Sequence, residues 1–196
     1  MVERVKPQEM TLARPGAFSI AEFFRERKTE LLLFHTEAIR AGREKEGRKA
    51  MRVLVEQLRE EPLADIVRVS REGKVLWGTN VADDRRGEGV SLADRDYFLW
   101  AKGQKEPGKV FVGKPVIPRE GIKEGKWVVV MATPIFYQER LNGLVFISFP
   151  LGDLTPRFIT PLVFSPAVQS LIIAQDGTIA ASLVPGAIGQ NALGHI

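Results

Sequence analysis

Over the first third of the chain, hydrophobic positions recur at helical spacing. Phe24, Leu31, Phe34 or His35 and Ala38 follow three- and four-residue steps, and so do Ala50, Leu54 and Leu58, the stripe expected of an amphipathic helix. Its start is written as a capping box, Ser19 with Glu22, and Phe18 and Phe23 stand at the staple positions. The pattern predicts one helix from Ile20 to about Glu60, roughly 60 Å long at 1.5 Å per residue. Gly42 and Gly47 mark a break or kink near 42–47. Residues 1–17, with Pro7, Pro15 and Gly16 and no clear period, read as a lead-in arm. Two roles remain open for the long helix: an element packed on the core, or a dimer helix continuing from a membrane span.

After Pro62 the period changes to that of strands. Ile66–Ser70 and Lys74–Trp77 flank Arg71-Glu72-Gly73, a tight hairpin signal. A loop rich in Asp, Arg and Gly covers 78–90, and a polar-aromatic helix is expected from Ser91 to about Gly103. Lys109–Ile117 reads as a strand that Pro115 and Pro118 keep short or at an edge. Trp127–Ala132 reads as a buried central strand. Asn142-Gly143, the strongest hairpin dipeptide in the chain, is expected to turn Thr133–Tyr137 back into Leu144–Phe149. Residues 151–161 look helical or irregular. The run Leu171–Ala180 then repeats the strand, acidic-Gly turn, strand recipe of Val67–Leu76, and each copy is followed by a loop with two glycines. A duplicated unit whose second copy is cut short accounts for this. It also fits Asn191–Ile196 ending in mid-pattern, as an excised fragment would, with membrane segments outside it.

Composition narrows the chemistry. The 196 residues suffice for one domain, or one plus part of another, and 44% hydrophobic content supports a real core. A net charge of +4 is spread as interleaved Lys, Arg, Glu and Asp rather than as a basic face, which argues against nucleic acid as a partner. There is no cysteine, and the only histidines are His35 and His195. No metal cluster, catalytic triad or cofactor is therefore expected. The acidic pairs Asp83-Asp84 and Asp94/Asp96 lack a base or nucleophile beside them, and Gly87-Glu88-Gly89 lacks the lysine and helix of a phosphate loop. No enzymatic activity is expected.

The order of these elements, with "V-R-V-S-R-E-G-K-V", then "S-L-A-D-R-D-Y-F", then "W-V-V-V-M-A-T-P-I-F" and "N-G-L-V-F-I-S-F-P-L-G-D-L", resembles the Cache sensor domains of bacterial and archaeal receptors over about residues 20–160. Residues 168–196 resemble the opening of the second lobe of a double-Cache domain. The resemblance implies an α+β fold, a PAS-like central antiparallel sheet flanked by helices, with a long N-terminal helix and the start of a second, truncated lobe. The expected divisions are an arm at 1–17, the long helix at 18–61, a ligand-sensing lobe at 62–160, and the beginning of a second lobe or a C-terminal hairpin at 161–196.

The resemblance further implies an extracytoplasmic, periplasmic or cell-surface part of an inner-membrane receptor. It would bind a small ligand and regulate a histidine kinase, chemoreceptor or diguanylate cyclase output. Tethering would run through segments absent from this chain, with a possible homodimer through the long helix. In amino-acid-binding members, Tyr followed by Arg-x-Trp-Tyr holds the ligand carboxylate, and a later Tyr and Asp hold the amine. Arg95 matches the arginine, Tyr97 and Phe98 take the two aromatic places, Val90 replaces the first Tyr, and Ser148 falls near the strand Asp. A carboxylate without an amine suits this set better, because Ser148 supplies no charge for an ammonium.

Each candidate has a plainer alternative. Arg95 is either a bidentate carboxylate clamp or a helix-start salt bridge to Asp94 or Asp96. Tyr97 offers a hydroxyl to a ligand, or packs in the core. Trp77 floors a pocket or the core, and Trp100 lines a pocket or seats the helix on the sheet. Lys114 is a second positive charge or an exposed edge lysine. The competing reading of the whole chain is a structural dimerisation or protein-interaction module whose pocket is filled by Tyr97, Trp100 and Phe146; a cytoplasmic PAS-type module is the third.

Overall fold

The computed structural model describes residues 7–58, 65–79, 87–119, 125–162 and 170–192. The N-terminal helical region is three helices: α1 (Pro7–Leu33), α2 (Glu37–Arg40) and α3 (Glu44–Gln57). The helix thus begins earlier than the capping box predicts. Ser19 and Glu22 lie inside α1, Phe18 is exposed, and Phe23 is buried. Gly16 meets Leu162, which a Cβ there would approach to 2.8 Å. The break falls at 34–36 and again at 41–43, where Gly42 takes a φ of +72°. Thr36 caps α2 through its hydroxyl.

A five-stranded antiparallel sheet follows: β1 (Asp65–Val69), β2 (Val75–Thr79), β3 (Phe111–Val112), β4 (Val128–Tyr137) and β5 (Arg140–Pro150), in the spatial order β2-β1-β5-β4-β3. Helix α4 (Asp96–Lys102) lies between β2 and β3 in sequence, and α5 (Leu151–Phe158) follows β5. α4 is shorter than expected: Ser91 instead bridges Lys74, and Asp96 accepts the Tyr97 N–H at the helix start. The Lys109–Ile117 strand is reduced to β3 and one bridge, Val116 to Val128.

Each face of the sheet carries its own core. α1–α3 and α5 cover one face, with Phe23, Leu31, Phe34, Ile39 and Met51 packed on Ile66, Met131 and Ile147. α4 covers the other, with Leu92, Tyr97, Phe98 and Ala101 on Val69, Val130, Leu144 and Phe146. This is the α+β, PAS-like arrangement expected from the sequence.

The main hairpin turns elsewhere than predicted. Gln138 and Glu139, both with positive φ, reverse the chain between β4 and β5, and Asn142-Gly143 lie within β5. Pro134 pairs with Leu144 and Phe136 with Leu141, so one residue of β4 opposes two of β5. That is a β-bulge, and Gly143 supplies its φ of +97°. The expected turn at Asn142-Gly143 is therefore a bulge, which makes the same demand for a left-handed residue as a tight turn does.

A buried arginine pins the helices to this bulge. Arg68, fully buried in β1, donates from Nε to the Ile39 carbonyl (3.1 Å) and from its terminal nitrogens to the carbonyls of Val69, Asn142 and Leu144. The Asn142 amide donates to the Arg40 carbonyl (2.7 Å), and Arg40 Nε to that of Phe136 (2.8 Å). His35 Nε2 shares a hydrogen bond of 3.1 Å with Thr133 Oγ1.

Strands β6 (Leu171–Ile173) and β7 (Ile179–Ser182) form a separate antiparallel pair. Its hydrogen bonds repeat those of β1–β2. Ser70 N–H to Lys74 O is matched by Ala174 N–H to Thr178 O, Gly89 N–H to Val75 O by Gly189 N–H to Ile179 O, and Leu92 N–H to Gly73 O by Ala192 N–H to Gly177 O. A register shift sits at the same place in both hairpins. The sequence repeat is a structural one, extending through the return loop.

Two outcomes follow from this architecture. Gly143→Ala would put a Cβ 2.1 Å from the Val69 carbonyl oxygen at a left-handed φ. Chemical denaturation should show a loss of about 2 kcal/mol or more. Burial, and then the charge of Arg40, hold the His35 pKa below its ordinary value. The unfolded chain therefore binds more protons below about pH 6.5, and stability should fall as the pH drops through that region. Urea midpoints at pH 7.5 and 5.0 check this, and His35→Gln should flatten the difference.

Candidate ligand-binding site

On the α4 face, the sheet, the start of α4 and the 116–119 segment enclose a cavity of about 80 Å³. By the space one water requires, it admits roughly six water-sized groups. Its apolar walls come from Val67, Val130 and Phe146, with Val128 and Val116 beyond them. The polar side chains on its lining are Arg95, Arg119, Tyr97, Ser148 and Asp65, and Thr79 borders it through its backbone. Ile66 pairs with Thr79 and packs in the opposite core, so the register turns the Thr79 side chain to the helical face.

Local structure explains where the charges sit. Arg95 is the N-cap residue of α4 and is half-buried. Its Nη2 donates to the Ile117 carbonyl at 3.1 Å. The flanking acids are engaged elsewhere. Asp94 takes Arg119 in a two-pronged contact (Nη1 to Oδ1, 2.8 Å), and Asp96 accepts the Tyr97 N–H at 2.8 Å. Hydrogen bonds from Arg119 hold the Asp94 carboxyl below the usual carboxylate range. Arg119 also donates to the Ser91 carbonyl at 2.9 Å. The two arginines thus clasp the 116–119 segment against the start of α4. Among the described residues the Arg95 guanidinium has a carbonyl, not a carboxylate, as its hydrogen-bond partner.

Tyr97 is buried, its ring 5.4 Å from that of Phe146. Burial pushes its phenol pKa up, so the hydroxyl stays neutral and available as a donor. Ser148, only 4% exposed, lies opposite Val130 on β4 and Asp65 on β1.

Of the six residues singled out in the sequence, Arg95, Tyr97 and Ser148 line the cavity. Trp77, Trp100 and Lys114 do not. Simple alternation from Val75 would put Trp77 on the cavity side. A register shift carries β1 from Arg68 opposite Trp77 to Val69 opposite Val75, so the extra residue in β2, Leu76, reverses the alternation. Trp77 is buried in the helical core, where a Cβ on Gly47 would lie 3.0 Å from its ring. Trp100 stacks at a tilt on Phe111, 5.3 Å between centroids. Lys114 is exposed, its ammonium 4.0 Å from an Asp176 carboxylate oxygen. His195 lies outside the described residues.

Sequence reasoning missed Asp65 and Arg119. Asp65 was legible in principle, since it precedes Val67 by two residues in a strand and so shares its face. Arg119 carried no local signal, because its place depends on the segment crossing α4.

No protein-family model matches the chain, and no curated protein matches it. Solved structures do. An extracellular ligand-binding receptor from Desulfohalobium retbaense superposes with a TM-score of 0.78 at 15% identity, over 97% of this chain and 34% of that one. The ligand-binding domain of the Pseudomonas aeruginosa amino acid chemoreceptor PctB, in complex with L-Gln, gives 0.68 at 12% identity, over 95% of this chain and 72% of that one. The sensor domain of the Vibrio cholerae histidine kinase DctB gives 0.67 at 15% identity, over 94% and 69%.

The fold is Cache-type. This chain spans about a third of the Desulfohalobium receptor. No described helix is long and apolar enough to cross a membrane. In this Cache-type fold the cavity lies on the α4 face, away from α1–α3, and its lining mixes two arginines, a carboxylate, a phenol and a hydroxyl over an apolar floor.

Proposed function

We propose that this chain is an extracytoplasmic ligand-sensing domain. It binds a small carboxylate in the α4-face cavity and regulates a histidine kinase, chemoreceptor or diguanylate cyclase output beyond a membrane. The observation that carries the reading is Arg95. It lies on the cavity lining with its flanking acids committed to Arg119 and to the α4 backbone. A planar guanidinium with donors to spare is the group that recognises a carboxylate bidentately. Tyr97 and Ser148 add hydrogen bonds, and the valines and Phe146 enclose the ligand's carbon chain. The neighbouring folds, all receptor or sensor domains, support the same role.

Residues 171–192 are read as the opening of a second lobe, supported by the repeated hairpin and return-loop bonds. The long α1 serves as the arm along which two copies pair. Ligand binding favours one of two arrangements of the sheet and its covering segment, and that bias passes to the helices.

A thermal-shift panel of short carboxylates and amino acids tests the ligand reading. A ligand present at a hundred times its Kd stabilises by about 2.7 kcal/mol, a rise on the order of 5–10 °C for a chain of this size. Arg95→Ala should abolish the rise while keeping the unliganded melting temperature within about 2 °C of the parent, since the residue is half-buried at a helix start. Equal stabilisation of both proteins would remove Arg95 from the site.

A further inference from the structure

Helix α3 reaches the cavity wall around the outer edge of β2. Gly47 admits the Trp77 ring, and the next residue, Arg48, carries its guanidinium to three acceptors on three elements. Nε donates to Glu44 of α3 itself (2.9 Å), Nη1 to the Gly78 carbonyl of β2 (3.2 Å), and Nη2 to Glu88 in the loop after β2 (2.6 Å). The Arg48 side chain is 14% exposed and that of Glu88 33%, so the pair is better shielded than an ordinary surface ion pair. A planar fork of donors serves three acceptors at once; an ammonium lacks that fixed geometry. The two outer acceptors belong to the cavity wall. Gly78 lines the cavity, and so do Gly87 and Val90, which flank Glu88; Arg48 lies outside the lining. Backbone bonds join this loop to β2, Val75 N–H to Val90 O (2.9 Å) and Gly89 N–H to Val75 O (2.8 Å), and Val90 packs on the α4-face core. Its outer turn is unpacked, since a Cβ on Gly89 would meet nothing within 4 Å. Among the described residues, the side-chain bond that ties 87–90 to the helical layer is Glu88 to Arg48.

We infer that Arg48 is a positioning residue of this cavity: from the helical layer it holds the 87–90 wall in place, so that the docking of α3 and the shape of the cavity are linked through one guanidinium. Drawing α3 away from β2 pulls on Glu88 and on the Gly78 carbonyl together. A ligand that orders Gly87 and Val90 favours the docked α3 by the same free energy, because such coupling is reciprocal. The tie runs around the sheet edge at β2 and is separate from the Arg68 contacts, which join α2 to β1 and β5. Its use in sensing rests on the carboxylate-sensor reading; the tie itself does not.

Native-state hydrogen exchange tests the tie without any ligand. In Arg48→Gln, exchange at the Val75 and Gly89 amides should rise roughly 10-fold relative to amides of the central strands, the scale of one hydrogen bond to a charged group. Glu88→Gln cuts the tie from the loop side and should loosen the same two amides and, across the gap, those of residues 48–52 in α3. Glu44→Gln removes only a bond within α3 and should change the loop by less than about twofold, the worth of one exposed pair on a helix. Loop exchange unchanged in both Arg48→Gln and Glu88→Gln, or raised as much by Glu44→Gln, overturns the inference. Titration calorimetry with butyrate, 2-aminobutyrate and succinate then joins the tie to the site. Any of the three that binds the wild type should bind Arg48→Gln about 3- to 10-fold more weakly, although no lining residue has changed. Equal affinity overturns the positioning role while leaving the Arg95 clamp standing. If none of the three binds the wild type, the carboxylate reading falls, and the exchange rates alone decide whether Arg48 holds the wall.

Discussion

Arg68 is the contact on which the two halves of this structure depend. Its guanidinium is fully buried, and its hydrogen bonds go to backbone carbonyls from three elements: Ile39 in α2, Val69 in β1, and Asn142 and Leu144 in β5. Burial draws its pKa down to about 10, which still leaves it a cation at neutral pH. A buried charge is tolerated only where its donors are satisfied. Here the satisfying groups are backbone carbonyls: that of Ile39, which also accepts the Gly42 N–H, and those along the bulge at Asn142–Gly143. The same bulge presents the Asn142 side chain to Arg40. The helical layer is held to the sheet at its junction by this polar knot, with hydrophobic contacts spread around it.

Irregular pairing also decides what the cavity contains. Two register shifts, one in the β1–β2 hairpin and one in β4–β5, set which side chains reach the α4 face. The first sends Trp77 into the helical core and leaves Val75 and Gly78 beside the cavity. Without it a tryptophan would occupy much of the space now open. The clasp of Arg119 on Asp94 plays the complementary part on the other wall, engaging Asp94 while Arg95, on the cavity lining, bonds the Ile117 carbonyl.

Periodicity made most of the fold legible. Alternation located β1, β2, β4 and β5, and the acidic-Gly turns located both hairpins. What failed did so for identifiable reasons. A capping box is a local preference, and α1 overrides it because packing of Phe23 and Gly16 carries the helix further back. Asn-Gly announces a positive φ but does not say whether a turn or a bulge uses it. Of the cavity lining, the family motif picks out Arg95 and Tyr97, and the strand position of that same pattern picks out Ser148. Asp65 and Arg119 come from elements far apart in sequence, and Trp77 was misplaced by one inserted residue that alternation cannot foresee.

Val67 and Arg68 are consecutive residues of β1 pointing to opposite faces: one forms the floor of the cavity, the other grips the turn between α1 and α3. The cavity and the helical layer therefore share a single strand as their common wall. No chain of intermediate contacts is required to connect them. The distance between what enters the cavity and what the helices feel is the thickness of one sheet.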